Sequence, residues 1–170
     1  MRAGRVTAPP PDRRGAQRAF TLIELVVTVA IIGILATVAM PLAQLANQRA
    51  KEQDLRRALW QIRNGIDAYK KAYDEGRMPR VVGKTGYPPT LEALVEGIED
   101  ARNPKKEKIY FLRRLPRDPF HPDPKVTAAD TWGKRSYASP PERPEEGDDV
   151  FDVYSRSDGT GLNGLPYRDW

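Results

Sequence analysis

Cysteine is absent from the chain. That excludes disulfide bonds, a thiolate nucleophile and cysteine-ligated zinc, and it leaves the cellular compartment open. Histidine is almost as scarce: His121 is the only one, in a proline-rich turn with Pro119, Pro122 and Pro124, where a surface role is expected rather than a ligand or a general base. There is no Ser/His/Asp arrangement, no glycine loop fit to cradle phosphate, no zinc pattern and no internal repeat. Charge of one sign is also lacking over most of the chain. The formal net charge is +5, but residues 1–19 hold five Arg (Arg2, Arg5, Arg13, Arg14, Arg18) against Asp12, a net +4, which leaves +1 for everything after. The basic excess is a property of the first residues, so nucleic acid is not expected as a partner.

What the chain does have is one long apolar run. Residues 20–40 carry Glu24 as their only charge. Twenty-one residues of helix span about 31 Å, the thickness of a bilayer core. A cleaved secretory signal has a shorter apolar core of roughly 7–15 residues. Basic residues ahead of such a segment stay in the cytoplasm, which places the remainder outside the cytoplasmic membrane. A lone carboxylate in hydrocarbon costs roughly 2.5 kcal/mol or more at the centre and less near the interface, so Glu24 calls for a partner. The bland alternative is a side chain that snorkels into the headgroups.

After Pro41 the helix is expected to resume, since proline kinks a helix more readily than it ends a strongly periodic one. Leu55, Leu59, Ile62, Ile66, Tyr69 and Tyr73 follow at steps of 4, 3, 4, 3 and 4, one apolar stripe on an amphipathic helix. Gly76 is a plausible C-cap and Pro79 blocks continuation. The helix should run from about residue 20 to 75. The stripe is read as core, and the charges around it (Arg49, Lys51, Glu52, Asp54, Arg56, Arg57, Arg63) as solvated or as salt bridges between subunits. Beyond Gly76, Thr90 is an N-cap candidate for a short helix over residues 91–97. Residues 109–112, 132–138 and 150–154 are strand candidates. Asp148, Asp149 and Asp152 suit either a cation or a strand with one wet face. The fold class expected is α+β: a long N-terminal helix, half membrane-spanning and half amphipathic, packed on a small antiparallel sheet with a loop-rich C-terminal region.

The run from Phe20 through Glu24 to Pro41 resembles the N-terminal signature of type IV pilins and of the pseudopilins of type II secretion. The head continues the resemblance, most closely to the major pseudopilin (the G component). It does so in Tyr87-Pro88-Pro89-Thr90, residues 91–97, Arg114-Leu115-Pro116-Arg117-Asp118-Pro119-Phe120, Trp132-Gly133, Asp152-Val153-Tyr154-Ser155 and Trp170. The resemblance implies four segments: a cleaved cytoplasmic leader (1–19), a transmembrane half-helix (20–40), an amphipathic half-helix (41–76) and a periplasmic head (77–170). It implies cleavage by a prepilin peptidase between Ala19 and Phe20, where the family usually has Gly before the cut, and N-methylation of Phe20. Glu24 would then pair with the N-terminal amine of a neighbouring subunit during assembly, and Pro41 would kink the helix for packing in the fibre.

The partners implied are further copies of the chain in a helical homopolymer, minor pseudopilins, the inner-membrane assembly platform and, before assembly, membrane lipid. The implied place is the inner membrane, single-pass with the head periplasmic, and then a periplasmic fibre that drives protein export. No catalysis is implied. The family typically binds one calcium ion in a loop near the C-terminus, through backbone carbonyls and several Asp. Asp158 matches one such position, whereas the usual adjacent pair of Asp further on is missing from residues 162–170, and packing of Tyr167 and Trp170 is the alternative way to hold the loop. The competing readings are a type IV pilin, a minor pseudopilin and, from another class, a signal-anchored periplasmic enzyme or binding domain.

Overall fold

The structure is a computed structural model that describes residues 20–170. Its dominant element is α1 (Leu22–Asp74), 53 residues long and continuous through Pro41. The chain divides into two compact units after Ala43.

In the first unit α1 is apolar on all sides and none of its described side chains is buried within the chain. Its few polar side chains look after themselves. The Thr28 hydroxyl donates to the Leu25 carbonyl (2.9 Å) and the Thr37 hydroxyl to the Ile34 carbonyl (2.6 Å), so neither brings an unpaired donor into an apolar solvent.

In the second unit the expected stripe is the core. Leu55, Ala58, Leu59, Ile62, Ile66, Tyr69 and Ala72 are buried, and Tyr73 packs against them. The helix ends as its sequence predicts. Gly76 takes a left-handed backbone (φ +69°), its amide bonds the Tyr73 carbonyl at 2.9 Å, and Arg77 N–H reaches back to Ala72 O at 3.0 Å. This is the paired bonding of a Schellman cap, and a side chain would resist its φ. The Arg77 guanidinium then clasps Asp100 at 2.6 and 3.1 Å and, with the Arg102 amide, holds that carboxyl below the usual carboxylate range.

The rest of the second unit covers the stripe with short elements: α2 (Ala93–Glu96), β1 (Ile98–Glu99), β2 (Lys108–Ile109), β3 (Trp132–Arg135) and β4 (Asp152–Ser155). Antiparallel pairing is present as expected, but as two separate two-stranded ribbons, β1–β2 and β3–β4. The reason is visible at residues 111 and 112, read as the end of a strand. Their amides both turn to the Leu94 carbonyl in α2 and so leave the ladder after Ile109. Thr90 does not cap α2. The helix starts at Ala93 with Glu92 at its N-cap and no side-chain capping bond. Trp132 and Val153, facing inward from β3 and β4, are fully buried in one cluster with Leu55, Ile62 and Ile66. The second ribbon thus closes the core over the helix.

Candidate processing and assembly site

The amino end of α1 carries the residues singled out for processing and assembly. Ala19 lies outside the described residues; Phe20 is the first described and is exposed. Thr21 is the N-cap. Its hydroxyl accepts the Glu24 amide at 3.3 Å and its carbonyl accepts the Leu25 amide at 3.1 Å. Thr21-Leu22-Ile23-Glu24 has the spacing of a capping box, with Glu at the third helical position. Glu24 therefore has a local role that the sequence reading missed: it is the acid of the first turn, where the helix dipole favours an anion. The signal was Thr three residues before Glu at the head of an apolar run.

The carboxyl end of the chain is tied to the amphipathic half of α1 at two points. Arg63 donates through Nε to Asp152 at 2.8 Å and through a terminal nitrogen to the backbone oxygens of Val153 (3.1 Å) and Trp170 (2.8 Å). Three residues before the apolar stripe begins at Leu55, Glu52 is buried and its Oε1 accepts three bonds: Tyr167 hydroxyl at 3.0 Å, Gln48 Nε2 at 3.1 Å and Leu162 amide at 2.9 Å. Tyr167 in turn stacks on Phe120 (centroids 4.1 Å apart) and meets Trp170 edge-on (5.2 Å). Burial raises the Tyr167 hydroxyl pKa above its ordinary value, with the Gln48 bond acting against that and the Glu52 bond with it. Glu52 and Arg63, read from the sequence as solvated or as intersubunit charges, thus serve the chain's own fold.

The residues matched at the amino end, 14–40, fit the family model described as the prokaryotic N-terminal methylation motif. Over the longer chain there is similarity to the type II secretion system core protein G of several bacteria. That of Pseudomonas aeruginosa is 33% identical over 64% of this chain and 71% of its own length. That of Klebsiella pneumoniae is 31% identical over 79% and 92%, and that of Dickeya chrysanthemi 27% identical over 87% and 95%. The chain belongs to the type II secretion system core protein G family. No solved structure gives a significant match.

The landmarks shared with this pseudopilin family have structural jobs here. Asp118 of the Leu-Pro-Arg-Asp-Pro-Phe run is buried. It accepts the Ser155 hydroxyl at 2.5 Å and the Phe120 amide at 2.8 Å, and so staples that loop to the end of β4. Trp132 Nε1 donates to Pro116 O at 2.9 Å. Gly133 faces Tyr154 across the ribbon, and a Cβ there would fall 2.3 Å from the tyrosine ring. Pro88 O accepts the Val150 amide at 2.8 Å, while Tyr87 meets Phe151 edge-on at 4.9 Å.

The three aspartates weighed as a cation site point three ways. Asp148 pairs with Lys84 (3.2 Å); Asp149 is buried and bonds the Thr85 hydroxyl and the Tyr137 amide; Asp152 serves Arg63 and Arg135. The wet-face reading fails for Asp149 because its carboxylate closes the turn after β3. His121 lies in its turn, its ring nitrogen 3.3 Å from backbone atoms of Asp123. Asp158 is exposed.

Proposed function

We propose that this chain is cut between Ala19 and Phe20 by a prepilin peptidase, methylated on the new amine and assembled, copy upon copy, into a periplasmic fibre that drives protein export. The observation that carries the reading is a bilayer-length helix, apolar on every side, whose first turn holds an acid. Such a helix needs either lipid or other helices around it, and a polymer supplies the second after the first. The basic leader keeps the amino end in the cytoplasm and the head lies in the periplasm. After cleavage an ammonium stands at Phe20, and Glu24 of a neighbouring copy is the anion suited to compensate it. Contacts between unlike patches of successive copies generate an open filament rather than a closed ring.

Minor pseudopilins and the inner-membrane assembly platform complete the machine. The subunit does mechanical work through assembly and catalyses nothing. Pro41 gives the helix a place to bend as it leaves lipid for the fibre.

The test is the N-terminal residue and intact mass of the protein recovered from its native membrane. The expected result is a chain starting at methylated Phe20. An intact leader overturns the processing step and returns the chain to a signal-anchored protein. A cut near residue 40 overturns assembly altogether.

A further inference from the structure

The core protein G family brings with it a calcium ion in the C-terminal loop, and the residues of this loop do not fit one. A calcium ion takes six to eight oxygens, several of them carboxylate. Between residues 155 and 167 the only carboxylate is Asp158, which is exposed. Four of its neutral oxygens are already turned toward N–H groups of the same loop. Gly159 O accepts Tyr167 N–H (3.0 Å), Gly161 O accepts Gly164 N–H (2.9 Å) and Leu165 O accepts Gly161 N–H (2.8 Å). Asn163 Oδ1 accepts Leu165 N–H (3.1 Å). No group of three or more acidic or metal-ligating side chains gathers anywhere among the described residues. The one buried side-chain polar atom there without a partner is Trp170 Nε1, an N–H donor that a cation cannot use.

What does converge on the loop is negative charge from outside it. Glu52 comes from α1, 110 residues earlier in sequence than the Leu162 amide it accepts. A calcium ion holds a loop by gathering oxygens around a positive centre. Here the polarity is reversed: a carboxylate oxygen gathers a phenol O–H, a carboxamide N–H and a backbone N–H around a negative centre. Charge-assisted bonds of this kind are the stronger class of hydrogen bond, and burial raises the cost of losing any donor. Gln48 spans the group, donating to the Glu52 carboxylate and, at 3.1 Å, to the Tyr167 hydroxyl, so the phenol is both donor and acceptor.

We propose that this chain dispenses with calcium and locks its C-terminal loop with Glu52, whose buried carboxylate fixes Tyr167 and the Leu162 amide to the helix. The lock forms within one copy and is independent of whether copies assemble.

The experiment uses the full chain purified in detergent, melted in excess EGTA and in about 2 mM calcium, above the range of weak extracellular calcium sites. The wild-type midpoint should differ by less than about 1 °C between the two buffers, and titration calorimetry with calcium chloride should give no saturable heat. Glu52→Ala should lower the midpoint by roughly 5 °C or more in both buffers and open residues 159–165 to protease, with calcium restoring neither. Tyr167→Phe should do the same to a smaller degree. A midpoint raised several degrees by calcium, saturable calcium binding, or a Glu52→Ala protein that melts like wild type overturns the proposal. Should Glu52→Ala fail to fold, Tyr167→Phe and the wild-type calcium comparison still decide it. Because melting requires no fibre, failure here leaves the processing and assembly reading untouched, and the reverse holds.

Discussion

The two halves of α1 build one helix from unlike residues and answer to different solvents. From residue 20 to 40 the apolar side chains face every direction, and the chain buries none of those described. From Gln48 onward, buried positions recur on one side only, and the opposite side carries Arg56, Arg57, Gln61 and Asp67. A one-sided stripe finds its partner within its own chain, as Ile62 and Ile66 do in Trp132 and Val153. An all-round apolar surface calls for one outside the chain. The comparison separates what folds the subunit from what gathers subunits together, and it should be breakable one half at a time.

The largest effect is expected at Glu24. Glu24→Leu removes the only charge of the first half, so membrane insertion and head melting should persist while cross-linked polymers vanish from whole cells. Polymers at wild-type yield would show that the first half gathers by apolar contact alone. Next comes the stripe. Ile62→Ala, at a fully buried position, should cost about 2–5 kcal/mol of head stability, whereas Ile32→Ala, exposed in the isolated chain, should leave the melting midpoint in detergent unchanged. Equal losses would mean the halves are not separate in energy. Gly133→Ala sets a methyl against the Tyr154 ring and should cost about 1–3 kcal/mol through overpacking, read as a lower midpoint with near-normal polymer yield once folded.

The smallest effect is an acid one. The lowered pKa of Asp100 means the folded state binds its proton less readily than the unfolded state does. Its stabilisation is present above the ordinary carboxylate pKa of about 3.9 and is lost as pH falls through the lower folded value. Asp100→Asn should therefore flatten the decline of stability below about pH 4, measured by melting across a pH series.

Much of this was legible because period and solvent leave strong marks. The 4, 3, 4 spacing of Leu55, Leu59, Ile62 and Ile66 set the buried face, and Gly76 with Pro79 set the end of the helix. Glu52 was not legible as core because it stands in a run of charges. Yet it lies three residues before Leu55 and four after Gln48, and so continues the stripe in polar residues. A buried carboxylate is decided by donors more than a hundred residues away, which local pattern does not register. The split of the sheet into two ribbons was hidden for a similar reason: the Leu94 carbonyl takes the amides of Phe111 and Leu112 in a bond that no strand propensity encodes. The acids interleaved with Val150 and Val153 suit a strand with one wet face, and only the position of Thr85 and Tyr137 reveals that Asp149 is inside.

The cap at Thr21 has a consequence for maturation. Among the described residues, the hydrogen bonds that start α1 come from Thr21, so the proposed scission before Phe20 would change charge and leave the cap in place. It would strip a net +4 from the amino end, where each basic residue near an anionic membrane surface is worth about 1 kcal/mol, and leave a single ammonium in its place. The mature subunit of this proposal would keep its cap and lose its electrostatic mooring.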